Sequence, residues 1–280
     1  MNLLLKVLLF ASLFGLSLKC SVPREVATAA SPRRIVWSDE FNAPGLPDST
    51  KWGYDYGTGC PNVCGWGNNE LQFYTARRTE NARVEGGSLI IEAHREKWED
   101  KGYTSARLVS KNKGDWTYGR IEARLKCPVG RGTWPAFWML PTDWKYGGWP
   151  RSGEIDILEH VGYVSDSVYA SAHTQAFNHV QHTQSTGGFY LPDAEKNFHR
   201  YAIEWHPDRL DYFVDDVKYH TFSNLHKTPD EWPFDQRFHV ILNLAVGGNW
   251  GGAKGVDEAI WPGRMEVDYV RVYEINGTPR

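Results

Sequence analysis

The chain lacks any block of like charge. Its 31 Lys and Arg and 34 Asp and Glu are interspersed and leave a formal net charge of -3 over 280 residues. Nucleic-acid binding needs bases clustered on one face or in one tract, so that class of partner is excluded and a neutral partner is expected. Cysteine is scarce: setting aside Cys20 in the N-terminal leader, Cys60, Cys64 and Cys127 remain. An odd number permits at most one internal disulfide. The pair in "CPNVC" either closes a small loop or stays as two thiols, because spacing alone does not fix connectivity. No second Cys or His pair adjoins it, which argues against zinc there.

Long apolar runs are missing beyond the leader. "MNLLLKVLLFASLFGLSLKCS" places Lys6 ahead of an apolar run over residues 7–18, shorter than the about 20 residues a spanning helix needs. Residues 1–20 read as an export signal, and no transmembrane segment is expected in the mature chain. Cys20 directly after the run resembles a lipoprotein processing site, although Lys19 stands where a small residue is usual. The protein is therefore expected to be exported: secreted, periplasmic or lipid-anchored at the cell surface. Residues 21–34, "SVPREVATAASPRR", are small, polar and punctuated by proline, as suits a linker. Residues 35–275 carry no composition break and no internal repeat and are read as one domain, with 276–280 as a tail. Nothing demands more than a monomer.

A long amphipathic helix is absent too. The dominant period is two: in "RIEARLK", Ile121, Ala123 and Leu125 alternate with Arg120, Glu122, Arg124 and Lys126, the pattern of a half-buried strand. "ARVEGGSLIIEAHRE" gives two strands around Gly86 and Gly87. "YAIEWHPDRLDYFVDDVKYHTF" gives three, turning at Pro207 to Arg209 and at Asp215 to Asp216. "VWSDEF", "YTSARLVSK", "SVYASAHT", "FHVILNLAV" and "MEVDYVRVYE" add further strands. Many short strands between turn signals argue for an all-β, two-sheet sandwich or jelly roll.

What the chain has in excess is aromatic side chains, with 13 Trp, 14 Tyr and 12 Phe, more than a core of this size needs. Several Trp stand beside Gly and Pro rather than in periodic runs, which suits exposed platforms for the apolar faces of sugars. Trp134 and Trp138 in "TWPAFW" share a face if that segment is a strand, whereas Trp37, Trp205 and Trp232 suit a core equally well. "AHTQAFNHVQHTQ" carries His173, His179 and His182, but their spacing fits neither a helical pair nor a known zinc pattern.

The segment "GEIDILEHVG", residues 153–162, threads Glu154, Asp156 and Glu159 between residues that favour burial. On a regular strand Glu154 and Asp156 share a face and Glu159 falls on the other. One extra residue, a β-bulge around Ile157 and Leu158, restores the phase and returns Glu159 to the face of the other two. Three carboxylates in one row repel, so at least one is expected to hold its proton to high pH. A protonated acid beside an ionised carboxylate is what glycoside hydrolysis requires. A solvated strand face and a divalent-metal cage are the alternatives for the same row.

This segment resembles the E-x-D-x-x-E signature of glycoside hydrolase family 16, in its laminarinase branch. Further matches, in family order, are "WSDEF" from Trp37, "GWGNNELQFYT" from Gly65, "GRIEARLK" from Gly119, "GTWPAFWMLP" from Gly132, "NLAVGGNW" from Asn243 and "VDYVRVYE" from Val267. The resemblance implies a β-jelly roll sandwich of two antiparallel sheets with an open concave substrate cleft. It implies retaining, endo-acting hydrolysis of internal β-1,3 bonds in laminarin-type β-glucan.

By the same resemblance Glu154 matches the nucleophile, Glu159 the general acid/base and Asp156 an assisting carboxylate that hydrogen-bonds the nucleophile. Trp134, Trp138, Trp149, Asn69, Glu70, Arg95, His160, His173 and Trp250 fall where the family lines its substrate subsites. No catalytic cofactor is implied. A structural calcium remote from catalysis is, with Glu40, Gly87 and Asp268 at the matching positions and much of the coordination from backbone carbonyls. The "CPNVC" insertion departs from the pattern and would reshape one end of the cleft. Two other readings remain open: a non-catalytic β-glucan-binding protein, and a family member acting on mixed-linkage glucan, agar or carrageenan. Binding proteins of this type typically lose the catalytic glutamates, whereas this chain keeps all three acids.

Overall fold

The period-two pattern resolves into seventeen strands in a computed structural model that describes residues 33–275. In chain order they are β1 (Ile35–Asp39), β2 (Gly53–Tyr54), β3 (Gln72–Thr75), β4 (Ala82–Glu85), β5 (Ser88–Trp98), β6 (Lys101–Val109), β7 (Asp115–Trp116), β8 (Gly119–Lys126) and β9 (Thr133–Pro141). They continue as β10 (Glu154–Glu159), β11 (Ser167–His173), β12 (Ser185–Tyr190), β13 (His199–Trp205), β14 (Arg209–Val214), β15 (Val217–Ser223), β16 (Phe238–Val246) and β17 (Gly263–Tyr273). Helix among the described residues is confined to two short 3-10 turns, Cys64–Gly67 and His179–Gln181.

One sheet runs β15, β14, β13, β8, β17, with β1 and β5 sharing the outer edge of the long β17 and β4 beyond β5. The other runs β12, β11, β10, β9, β16, with β6 and β7 on the outer edge of β16 and β2 beside β6. The β5–β6 hairpin joins the two sheets. The jelly-roll sandwich is antiparallel except where β3 runs parallel to β6. The hairpins turn where expected: Gly86 and Gly87 have φ of 62° and 82°, and Asp215 and Asp216 have 47° and 67°, the left-handed pair a two-residue turn of this hand requires.

The core fills the space between the inner faces. Ile155, Ile157 and Leu158 of β10 and Phe137 and Met139 of β9 belong to one cluster with Ile121, Ala123 and Leu125 of β8 and Tyr201, Ile203 and Trp205 of β13. Each of the Ile, Leu, Phe and Met side chains among them, fully buried, contributes about 1.5–3 kcal/mol. β8 departs from the half-buried strand expected, because Arg120 and Glu122 on its outer face are buried as well. As an interior strand it is covered by long neighbours. The Arg120 guanidinium donates to Glu122, Glu204 and Asp216, and the Tyr269 hydroxyl donates to Glu122.

Packing begins just ahead of Ile35, since Arg33 pairs with Glu204 and Arg34 with Glu274. The expected export signal with Cys20, the rest of the expected linker and the expected tail lie outside the described residues. No helix among the described residues is long and apolar enough to cross a membrane. Cys60 and Cys64 are joined in a disulfide, and Cys127 is a buried thiol.

Candidate active site

β10 lies between β9 and β11, and both neighbours record the same slip. Against β11, Glu154 faces His173 and Asp156 faces Ser171, but Glu159 faces Tyr169, so three steps on β10 span two on its partner. Against β9, the step from Asp156 to Leu158 spans only Trp138 to Phe137. The extra residue therefore sits at Ile157 and Leu158, both buried in the core. Two successive side chains turn inward, and Glu154, Asp156 and Glu159 share the opposite face. Glycines bracket the strand. A Cβ on Gly153 would lie 2.8 Å from Phe234 and Pro233, and one on Gly162 would lie 1.9 Å from the Gly130 carbonyl oxygen.

All three carboxyls are pushed up to about 8. Burial is the main cause for each. For Glu154 and Glu159 the Asp156 charge adds to it, while His173 opposes it. The indole of Trp134 also holds Glu159 down, donating from Nε1 to Oε1 at 3.2 Å. Nε2 of His173 stands 3.2 Å from Oδ2 of Asp156 and 3.8 Å from Oε1 of Glu154. The side chain of Asp156 is 5% exposed and that of Glu154 17%, and for the middle acid burial alone accounts for the rise. Asp156 makes no hydrogen bond to Glu154 among the described residues; His173 is the polar neighbour they share.

Aromatic side chains flank the row. On β9, Trp134 and Trp138 lie either side of the small Ala136, which pairs with Glu159, leaving a gap between two indoles beside that acid. Trp134 meets Trp250 edge-on at 5.7 Å, and Trp250 meets Tyr169 at 5.3 Å. At the other end Trp149, 36% exposed, lies 5.0 Å from the ring of His179 and 6.3 Å from that of His173. Trp138 donates Nε1 to Asn243 at 2.7 Å, Asn243 donates to the Tyr74 hydroxyl, and Tyr74 donates to Glu70, which also accepts from Gln72. Glu70 thus sits buried at the far end of a relay that fixes Trp138. Burial raises its pKa.

Two expected subsite residues are not gathered here. His160 is 0% exposed, with Nδ1 against the Ser167 carbonyl and Nε2 against Glu195. It follows Glu159 directly, so alternation turns it to the other side, and it does not border the cleft. Arg95 is exposed and pairs with Glu258 on a loop, with no contact to the acid row among the described residues. Asn69 is exposed and donates to Asn249, next to Trp250. For the calcium positions, both oxygens of Glu40 accept from Arg271, and Asp268 accepts from Arg124. Those carboxylates are engaged, so an ion there would rest on backbone carbonyls.

Sequence reasoning missed Arg107. On β6 it lies opposite Asn243 and stacks its guanidinium 4.5 Å from the ring of Trp66 and 4.7 Å from that of Trp138, while pairing with Asp55. The available signal was a lone arginine on the outward parity of "YTSARLVSK".

Comparison with known proteins agrees with this fold. Residues 69–271 match the model of glycosyl hydrolases family 16. The chain belongs to that family. Among family relatives, a beta-glucanase of Rhodothermus marinus is 52% identical, with 94% of this chain and 93% of the relative covered. A glucan endo-1,3-beta-glucosidase of Cryptopygus antarcticus is 41% identical over 86% of this chain and 92% of its own length. The laminarinase structure from Rhodothermus marinus superposes with a TM-score of 0.83 at 54% identity, covering 87% of this chain and 98% of that one.

Proposed function

We propose that the protein is an exported, endo-acting hydrolase of internal β-1,3 bonds in laminarin-type β-glucan, working with retention of configuration. The observation that carries the chemistry is the slip between Asp156 and Glu159, which sets three carboxyls on one face of β10. The names of the relatives support the substrate, and the indoles beside Ala136 suit a neutral sugar ring.

In this reading Glu154, ionised, forms a bond from a carboxylate oxygen to the anomeric carbon. The bond from that carbon to the glycosidic oxygen breaks, and the departing oxygen takes the proton of Glu159. Water then gives a proton back to Glu159 as its oxygen displaces Glu154, so one water is consumed per bond cut. Asp156, which holds its proton up to about pH 8, leaves Glu154 as the ionised member of the row, whose charge favours the positive character that develops on the sugar. Trp134 holds the carboxyl of Glu159 in place, and Trp138, fixed through Asn243, Tyr74 and Glu70, carries a sugar face.

The test is laminarin hydrolysis followed by proton NMR of the first-released anomer, beside Glu154→Ser. Short oligosaccharides released first as the β-anomer, with none from the variant, are expected. Release of the α-anomer overturns retention. A folded wild type that leaves laminarin intact overturns the substrate.

A further inference from the structure

A face built against a developing positive charge is also a place for a cation, and one corner of it has the atoms of a metal site. Nε2 of His173 lies 3.2 Å from Oδ2 of Asp156 and 3.8 Å from Oε1 of Glu154, and the three atoms are all within 4.8 Å of one another. Two ligands bound to one zinc ion at tetrahedral angles are about 3.3–3.6 Å apart. His173 and Asp156 already have nearly that spacing, and Glu154 needs a small side-chain adjustment.

A second observation points to a ligand. Asp156 is 3% exposed, yet its Oδ2 has no hydrogen-bond partner among the described residues. His173, 5% exposed, likewise has an unpartnered Nδ1. Among the described residues no Lys or Arg forms an ion pair with any of the three acids, so no fixed cation occupies the corner. One imidazole nitrogen with two carboxylate oxygens suits zinc and neighbouring first-row ions. The unpartnered Nδ1 also limits affinity, since an outer partner on a ligating histidine is worth roughly 10–100-fold. Such a site would take an ion reversibly rather than retain one through purification.

We propose that Glu154, Asp156 and His173 bind a divalent transition-metal ion such as Zn2+, with a further position open to water, and that the bound ion inhibits hydrolysis. The ion occupies the carboxylate oxygens that attack and assist, and cancels the negative potential that favours the sugar's positive charge. The binding part stands on the geometry alone; the inhibition rests on the hydrolytic reading above.

The experiment uses the full chain after EDTA treatment. Zn2+ binding is measured by competition with a chromophoric chelator, and laminarin hydrolysis is followed in the same titration. Expected is one Zn2+ per chain at micromolar affinity, inhibition with the same midpoint, and recovery on adding EDTA. His173→Gln and Asp156→Asn, shown folded by circular dichroism, should each weaken binding about tenfold or more. His179→Gln, whose ring adjoins His173 but lies outside the three, should bind as the wild type does. No binding by the wild type, or binding unchanged in both folded variants, overturns the site. If both variants unfold, quenching of wild-type tryptophan fluorescence by Cu2+ decides: saturation at one equivalent supports the site, and no saturable quenching overturns it. A wild type that takes up one Zn2+ through these residues but cleaves no glucan leaves the site standing and removes the hydrolytic reading.

Discussion

The indole N–H of Trp134 donates to Oε1 of Glu159 at 3.2 Å, and among the described residues it is the one hydrogen bond that any carboxyl of the acid row accepts from a side chain. It opposes burial, which pushes Glu159 up to about 8. The three acids interact, so their protons come off in steps that belong to the row as a whole. Between those steps one carboxyl is ionised while another keeps its proton, the division of labour that retaining hydrolysis needs.

Replacing the indole should therefore move the pH profile in a known direction. Trp134→Phe keeps an aromatic ring but removes the donor, so the charged form of Glu159 loses support and its pKa rises. The alkaline limb of kcat/KM on laminarin, which reports loss of the catalytic proton, should move up by about one pH unit. That corresponds to about 1.4 kcal/mol, within reach of a hydrogen bond to a charged group. A limb that stays put would mean that Glu159 is not the group titrating there.

Roles within the row separate by leaving group. Glu159→Ala should lower kcat/KM on laminarin by about 10²–10⁴, the usual worth of a general acid. On an aryl β-laminaribioside with a dinitrophenol leaving group, which departs unprotonated, the first bond cleavage should be nearly normal. Glu154→Ala should lose activity on both substrates. If Glu154→Ala is the variant spared by the good leaving group, the two roles are exchanged.

Much of this site was legible because it breaks a local rule. Ile157 and Leu158 are consecutive apolar residues in a period-two strand, and one residue too many is how a bulge appears in sequence. The strand "TWPAFW" was harder. Pro135 lacks the N–H that an interior strand normally uses, yet β9 lies between β10 and β16 with Pro135 opposite Leu244. β12, "STGGFY", is an edge strand with two adjacent glycines and no alternating apolar side chains, so it carried no signal. His160 was misplaced by resemblance although alternation after Glu159 pointed it away. Arg107 and the relay from Glu70 to Trp138 depend on contacts between strands distant in sequence, which no local pattern encodes.

The acid row also sets how stability responds to pH. The folded-state pKa of Asp156, about 8, lies above the about 3.9 of an unfolded chain. The folded state thus binds its proton more tightly. Its contribution is complete below about pH 4 and is lost as pH rises toward 8. Asp156→Asn removes the titration. It should stabilise the protein at pH 8 relative to wild type by on the order of 1–3 kcal/mol, read as a Tm higher by about 2–4 °C per kcal/mol for a chain of this size, with a narrower gap at pH 5. Hydrolysis should fall in the same variant. A variant less stable than wild type at pH 8 would mean that Asp156 is held ionised by partners the described residues do not supply.

Arg107 tests whether the aromatic wall acts in binding or in chemistry. Its guanidinium lies between Trp66 and Trp138 and pairs with Asp55, so the planar group fixes two indoles while its charge faces the buried Glu70. Lysine keeps the charge but cannot stack as a plane on two rings. Each cation–π contact is worth about 0.5–2 kcal/mol depending on desolvation. Arg107→Lys should therefore loosen Trp138 and raise KM for laminarin by roughly 5–30-fold, the equivalent of about 1–2 kcal/mol. kcat should change little, because in the proposed reading Trp138 carries a sugar face, a contact made equally before and during bond cleavage. The anomer released should stay the same. A fall in kcat with KM unchanged would instead place Arg107 among the groups that favour the transition state, acting through the charge it directs at Glu154.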